Sequence, residues 1–264
     1  MTTTAEQVLL VTKEGHIATV TLNRPHVRNA MNYEMLQQFP QVVEALERDP
    51  DVRVVVFRGA GEQAFAAGAD ISEFKERRST PELAKHYNAV SERAAASVEG
   101  MKKPTIAMIF GFAMGGGCQL AAVCDLRFAA DTAKMGVPAA KLGLAIGLGY
   151  ARRLTQLVGP GYAKEILFTG RAFTAQECYD MGLVNRVVPA AELESYTYKI
   201  AQQIAENAPL SIKSAKESID ICLANPSLEG VDGHALFGWI FGTEDFAEGT
   251  RAFLEKRKPV FRGR

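Results

Sequence analysis

Between Lys103 and Asp125 the chain carries no charged residue, and three consecutive glycines, Gly115-Gly116-Gly117, lie inside that run. The stretch is long enough to cross a bilayer. Pro104, Gly111 and the glycine triplet divide it, however, and Gln119 is polar. The pattern reads as a buried strand, a tight turn and a short helix of small residues, the unit of an αβ core rather than a membrane span. Glycines at such a junction let the backbone approach a ligand and leave bare N–H groups at the positive end of a helix dipole.

An earlier segment, Ala64-Phe65-Ala66-Ala67-Gly68-Ala69-Asp70, has the same character: a turn of small residues after a strand, leading into a charged helix. Either turn alone also suits tight packing. Two such turns together can hold one oxygen that becomes negative during a reaction.

The bulk composition narrows the setting. A chain of 264 residues, 47% hydrophobic and 23% charged, suits one large α/β domain or one domain with a smaller appendage. Lys+Arg 30 balance Asp+Glu 30, which leaves no basic field for nucleic acid. Cys118, Cys124, Cys178 and Cys222 lack metal-ligand spacing, and His16, His26, His86 and His234 are scattered. Reduced thiols, no metal and a cytoplasmic location are expected. Residues 1–6 lack the features of a signal peptide.

Val8–Thr12 and Ile17–Asn23 alternate around a turn at Lys13-Glu14-Gly15-His16. Asn32 is expected to cap a helix carrying Met35, Leu36, Phe39, Val42, Val43 and Leu46 on one face, with a kink or break at Pro40. Val52–Arg58 reads as a strand buried on both faces. Asp70-Ile71-Ser72-Glu73 has the form of a capping box, and Lys75–Ser79 beyond it reads as exposed. Pro81–Glu99 reads as helix, Thr105–Phe110, Leu126–Ala130 and Met135–Val137 as strands. Further on, Ala151–Val158, Tyr162–Thr169 and Thr174–Met181 read as helices, the last opened by a Thr174…Glu177 box. Leu183–Val188 is one more strand. Beyond Pro189 only helices are legible. A strand-rich core over 1–190 is thus followed by a helical region over 191–264.

Five motifs in this order resemble the crotonase (enoyl-CoA hydratase/isomerase) superfamily. They are Leu22-Asn23-Arg24-Pro25 with Asn29-Ala30-Met31, then Ala64 to Ile71, Gly115 to Leu120, Cys124-Asp125-Leu126-Arg127, and Ala252 to Lys258. The resemblance implies an α/β fold, a spiral of ββα units, with C-terminal helices that build a trimer or a hexamer. It implies an acyl-CoA substrate, with coenzyme A as part of that substrate and no separate cofactor. By position, the two oxyanion-hole amides are those of Ala69 and Gly116. CoA contacts fall on Arg24, Arg28, Ala66 and Ala67, with Asp70 and Ile71 beside them, and on Phe253 and Lys256 in the last helix.

One departure bears on the chemistry. Relatives that hydrate enoyl-CoA position a water with two glutamates, and these positions match Gln119 and Ala139 here. An amide orients water but exchanges no useful proton, and alanine does neither. Tyr150, close to where relatives hold the acyl chain, is a further catalytic candidate. Glu73, Glu76, His86 and Tyr87 lie on the segment that covers the acyl pocket in relatives. The alternatives are another reaction on the same hole (C–C cleavage, decarboxylation or thioester hydrolysis) and a protein that binds CoA without turnover.

Overall fold

The computed structural model describes residues 7–264, so the reading of residues 1–6 lies outside the described residues. Strands β1 (Leu9–Glu14) and β2 (Ile17–Leu22) form an antiparallel hairpin that turns at Gly15, whose φ is +55°. Helix α1 (Tyr33–Arg48) follows, with the Asn32 side chain accepting from Met35 N at 3.1 Å. Three further turns of chain then repeat one plan. A strand enters a larger sheet, a shorter strand enters a smaller one, and a helix returns.

The first turn is β3 (Val54–Gly59), β4 (Ala64–Ala66), α2 (Phe74–Arg77) and α3 (Pro81–Glu99). The second is β5 (Thr105–Ile109), β6 (Phe112–Met114) and α4 (Gly116–Val123). The third is β7 (Leu126–Ala130), β8 (Lys134–Gly136) and α5 (Leu148–Thr169). Strand β9 (Ala172–Thr174), α6 (Ala175–Asp180) and β10 (Arg186–Val188) close the sheets. The larger sheet runs β1-β2-β3-β5-β7-β10 and the smaller β4-β6-β8-β9, parallel except at β1–β2 and β8–β9. This is the expected spiral of ββα units. Four helices complete the chain: α7 (Ala190–Ala205), α8 (Pro209–Ala224), α9 (Gly233–Phe237) and α10 (Glu244–Leu254).

The core follows from the strand sequences. Val54, Val55, Val56 and Phe57 of β3, and every residue of β5, are buried, as parallel strands covered on both faces require. The uncharged run after Lys103 is divided among β5, β6 and α4. No helix of the described residues is long and apolar enough to cross a membrane.

Several local readings need correction. Helix α1 runs through Pro40 without a break, because Met35, Leu36, Phe39, Val43 and Leu46 bury one continuous face on both sides of it. Packing of that face outweighs the one backbone bond that proline removes. The Thr174 capping box forms in full, whereas the one expected at Asp70 does not. The Asp70 carboxylate accepts from Ser72 N, but Glu73 turns away and accepts from Tyr33 N at 2.7 Å. The two helices read on either side of Gly159-Pro160, by contrast, are both present, and Gly159, with φ +72° and ψ 167°, is the non-helical kink between them. The segment after Phe74 is only partly exposed: Arg78 lies half-buried over the rings of Phe74 and Tyr87.

Candidate active site

Strands β4, β6 and β8 are parallel neighbours, and the chain leaving each of them contributes to one cavity. Ligands in parallel α/β structures gather beyond the carboxyl ends of strands for this reason. After β4 come Ala67, Gly68 and Ala69. After β6 come Gly115, Gly116 and, one helical turn on, Gln119. After β8 come Val137, Pro138 and Ala139. The cavity has a volume of about 160 Å³, and Phe74, Arg78, Ser91, Ile146 and Tyr150 are among the residues that complete its wall.

The two turns read from the sequence meet here. Met31 N donates to Gly68 O at 2.8 Å and Asp70 N donates to Met31 O at 2.9 Å. This parallel bridge uses the groups on either side of Ala69 and leaves the Ala69 N–H facing the other way. Gly116 opens α4, where no intrahelical acceptor exists for its N–H. Among the described residues neither the Ala69 nor the Gly116 amide donates to any protein group. They are also close neighbours: a methyl group built onto Gly116 would lie 3.7 Å from Ala69 N, and one built onto Gly68 would lie 3.7 Å from Gly116 N.

Glycine is what permits this approach. A Cβ on Gly117 would fall 2.3 Å from Ala66 O, so α4 lies directly against β4. Gly115 caps α4 with φ +51° and ψ −116°, a conformation natural to glycine, and its N–H is tied to Gly136 O at 2.8 Å. The turn is therefore anchored to β8 as well.

The ionisable inventory of the cavity wall is short. Among the described residues it comprises Arg78 and Tyr150, with no carboxylate, histidine or lysine. Gln119 and Ala139 both line the cavity, so the two positions that the resemblance matches to a pair of glutamates are brought together, without acids there. Tyr150 is buried and donates its hydroxyl to Cys118 Sγ at 3.3 Å. Burial drives its pKa well above the ordinary tyrosine value and pushes the Cys118 thiol up to about 11. Both stay neutral near pH 7, and neither is a base there. Glu73 caps Tyr33 N, His86 Nε2 shares a hydrogen bond with Tyr33 OH at 2.8 Å, and Tyr87 is buried; none of these lines the cavity.

The residues read as CoA contacts divide into groups. Ala67 and Ile71 line the cavity. Ala67 N donates to Arg28 O at 3.0 Å, which joins the Arg24–Ala30 loop to the cavity edge. Arg28 itself has φ +53° and stands 5.5 Å from the centre of the Phe112 ring. Arg24 is committed within the protein, donating to Asp70 Oδ2 at 2.8 Å and to Ala30 O at 2.7 Å. Ala66 is fully buried in β4, against α4. Phe253, 82% exposed, and Lys256 stand at the end of α10 and do not line the cavity.

Two residues that hold or line the site escaped the sequence reading. Asn29, 1% exposed, accepts from Arg24 N and donates to Ala60 O and Ala64 O, which fixes the loop to β4. Its signal was present, since a buried asparagine in a loop must satisfy both amide ends. Arg78 sits in the run Lys75-Glu76-Arg77-Arg78, where composition does not set one cation apart from another.

Comparison with known proteins agrees with this geometry. The enoyl-CoA hydratase/isomerase family profile matches residues 12–264. A short-chain-enoyl-CoA hydratase of Clostridium acetobutylicum is 40% identical over 253 residues, covering 95% of each chain. A crotonyl-CoA hydratase of Syntrophomonas wolfei is 39% identical over 263 residues, covering 97% of this chain and 98% of that one. The crystal structure of an enoyl-CoA hydratase/carnithine racemase from Magnetospirillum magneticum superposes with a TM-score of 0.94 at 38% identity, covering 98% and 97% of the two chains. With the spiral fold and the paired turns, matches of this extent establish that the chain belongs to the enoyl-CoA hydratase/isomerase family of the crotonase superfamily.

Proposed function

We propose that this protein is an acyl-CoA enzyme that holds the thioester carbonyl oxygen between the N–H groups of Ala69 and Gly116 and stabilises the enolate formed from it. The observation that carries this reading is the pair of uncommitted amides, side by side at the wall of one cavity. Removing one donor of such a hole costs about 10²–10³ in kcat. The thioester would enter along Ala67 and Ile71, with the Arg28 loop and the α10 residues Phe253 and Lys256 serving the CoA portion. Exposed Phe241, Phe253 and Leu254 in the C-terminal region suit burial in a trimer or hexamer. A monomeric mass by light scattering would refute that assembly.

The relatives named above are hydratases, but hydration through two carboxylates has no groups for it here. Gln119 can orient a water; no cavity side chain can take its proton near pH 7. Reactions that reach the enolate without a carboxylate pair, decarboxylation among them, fit the wall better than efficient hydration. The second reading, CoA binding without turnover, rests on the same missing acids. Incubation with crotonyl-CoA, 3-hydroxybutyryl-CoA and a malonyl-type CoA, followed by absorbance and mass, separates the two. Conversion of any of them supports the enzyme. Tight binding with no conversion of any would leave the binding protein.

A further inference from the structure

Among the described residues Arg78 is the one cationic side chain at the cavity wall, and its environment is unusual for an arginine. Its guanidinium carbon lies 4.1 Å from the centre of the Tyr87 ring and 4.5 Å from that of Phe74. The two rings stand 6.2 Å apart in an edge arrangement, so the side chain is held on an aromatic platform. Among the described residues it forms no ion pair, and none of its nitrogens donates to a protein acceptor; Nε is buried without a partner. Burial disfavours its charge and pushes its pKa below the ordinary arginine value. The neighbouring Arg77 contrasts with it, pairing with Glu76 at 3.1 Å.

A half-buried cation held on two rings, with unused donors of which one is buried, is completed by an anion. The planar guanidinium fork matches a carboxylate. The cavity sets the size of what carries that carboxylate. A void of about 150 Å³ accepts one benzene molecule, so the space here, about 160 Å³ and shared with the thioester carbonyl, takes only a short acyl group. We infer that Arg78 selects a short acyl group whose far end is a carboxylate, so that the preferred substrate class is the CoA monothioester of a short dicarboxylic acid. The inference rests on the acyl-CoA reading above and narrows it.

The test uses two ligands of equal length, valeryl-CoA and glutaryl-CoA, titrated calorimetrically into the full chain. Glutaryl-CoA is expected to bind at least about tenfold tighter. In Arg78→Met the ratio of the two affinities should fall to near one, while Arg78→Lys, which keeps the charge but loses the fork, should retain part of it. Equal affinities in the parent protein would overturn the inference. So would a ratio unmoved by Arg78→Met, or an equal weakening of both ligands, which would assign Arg78 to the shared CoA portion. Binding of neither ligand would instead overturn the acyl-CoA reading beneath it.

Discussion

At the scale of single residues, the site is defined by what two side chains lack. Gln119 and Ala139 line one cavity from neighbouring strand–turn units, so carboxylates placed there would share it. Gln119→Glu with Ala139→Glu should therefore raise crotonyl-CoA hydration at least about tenfold, short of the 10²–10⁴ that fully positioned acid–base groups supply. A folded double variant that binds CoA and hydrates no faster would show that more than two groups has changed. Asp70 offers a test of a different kind. Burial opposes its charged form, but hydrogen bonds from Ser72 and Arg24 together outweigh it, and the pKa falls below the ordinary 3.8. As pH drops, the unfolded chain takes up this proton first. The carboxylate's contribution is thus complete above about pH 4 and lost as pH falls through the lower folded value. Asp70→Asn should cost about 1–3 kcal/mol at pH 7 by urea unfolding, with the gap from the parent narrowing below about pH 4. A gap independent of pH would contradict the ion pair with Arg24. The resemblance in motif order pointed to Gln119, Ala139, Ala69 and Gly116 by position, and all four line one cavity. Arg78 was not legible, because its isolation from carboxylates is a property of the folded neighbourhood.

At the scale of elements, the decisive contact is α4 against β4. Gly117→Ala would place a Cβ 2.3 Å from Ala66 O and 2.8 Å from Ala66 Cβ, and backbone cannot yield as a flexible side chain can. Overpacking of this kind costs about 1–3 kcal/mol, and the shift would part the Ala69 and Gly116 amides. Gly161→Ala in α5 meets nothing within 4 Å and should leave stability unchanged or raise it by up to about 1 kcal/mol. Thermal unfolding and acyl-CoA binding measured on both variants check the contrast; equal behaviour would mean the contact does not set the site. Local signals served well where both partners of a motif are near in sequence, as at Thr174 and Glu177. They failed where a distant group competes, as when Tyr33 N captures the Glu73 carboxylate.

At the scale of the whole molecule, the proposed hole draws one amide from each of two successive turns of the spiral. The strand order that brings β4 beside β6 is non-local, and hydrophobic periodicity within a segment carries no record of it. The resemblance in motif order supplied what periodicity did not. The carbonyl stretch of a bound, isotope-labelled thioester reports this convergence directly. In the parent protein the ¹³C=O band of bound butyryl-CoA should fall below its position in water. In Gly116→Pro, where the N–H is deleted at a first helical position that tolerates proline, the band should move back toward the aqueous value. A bound thioester whose carbonyl band matches that in water in the parent protein, or is identical in the two proteins, would contradict the oxyanion hole.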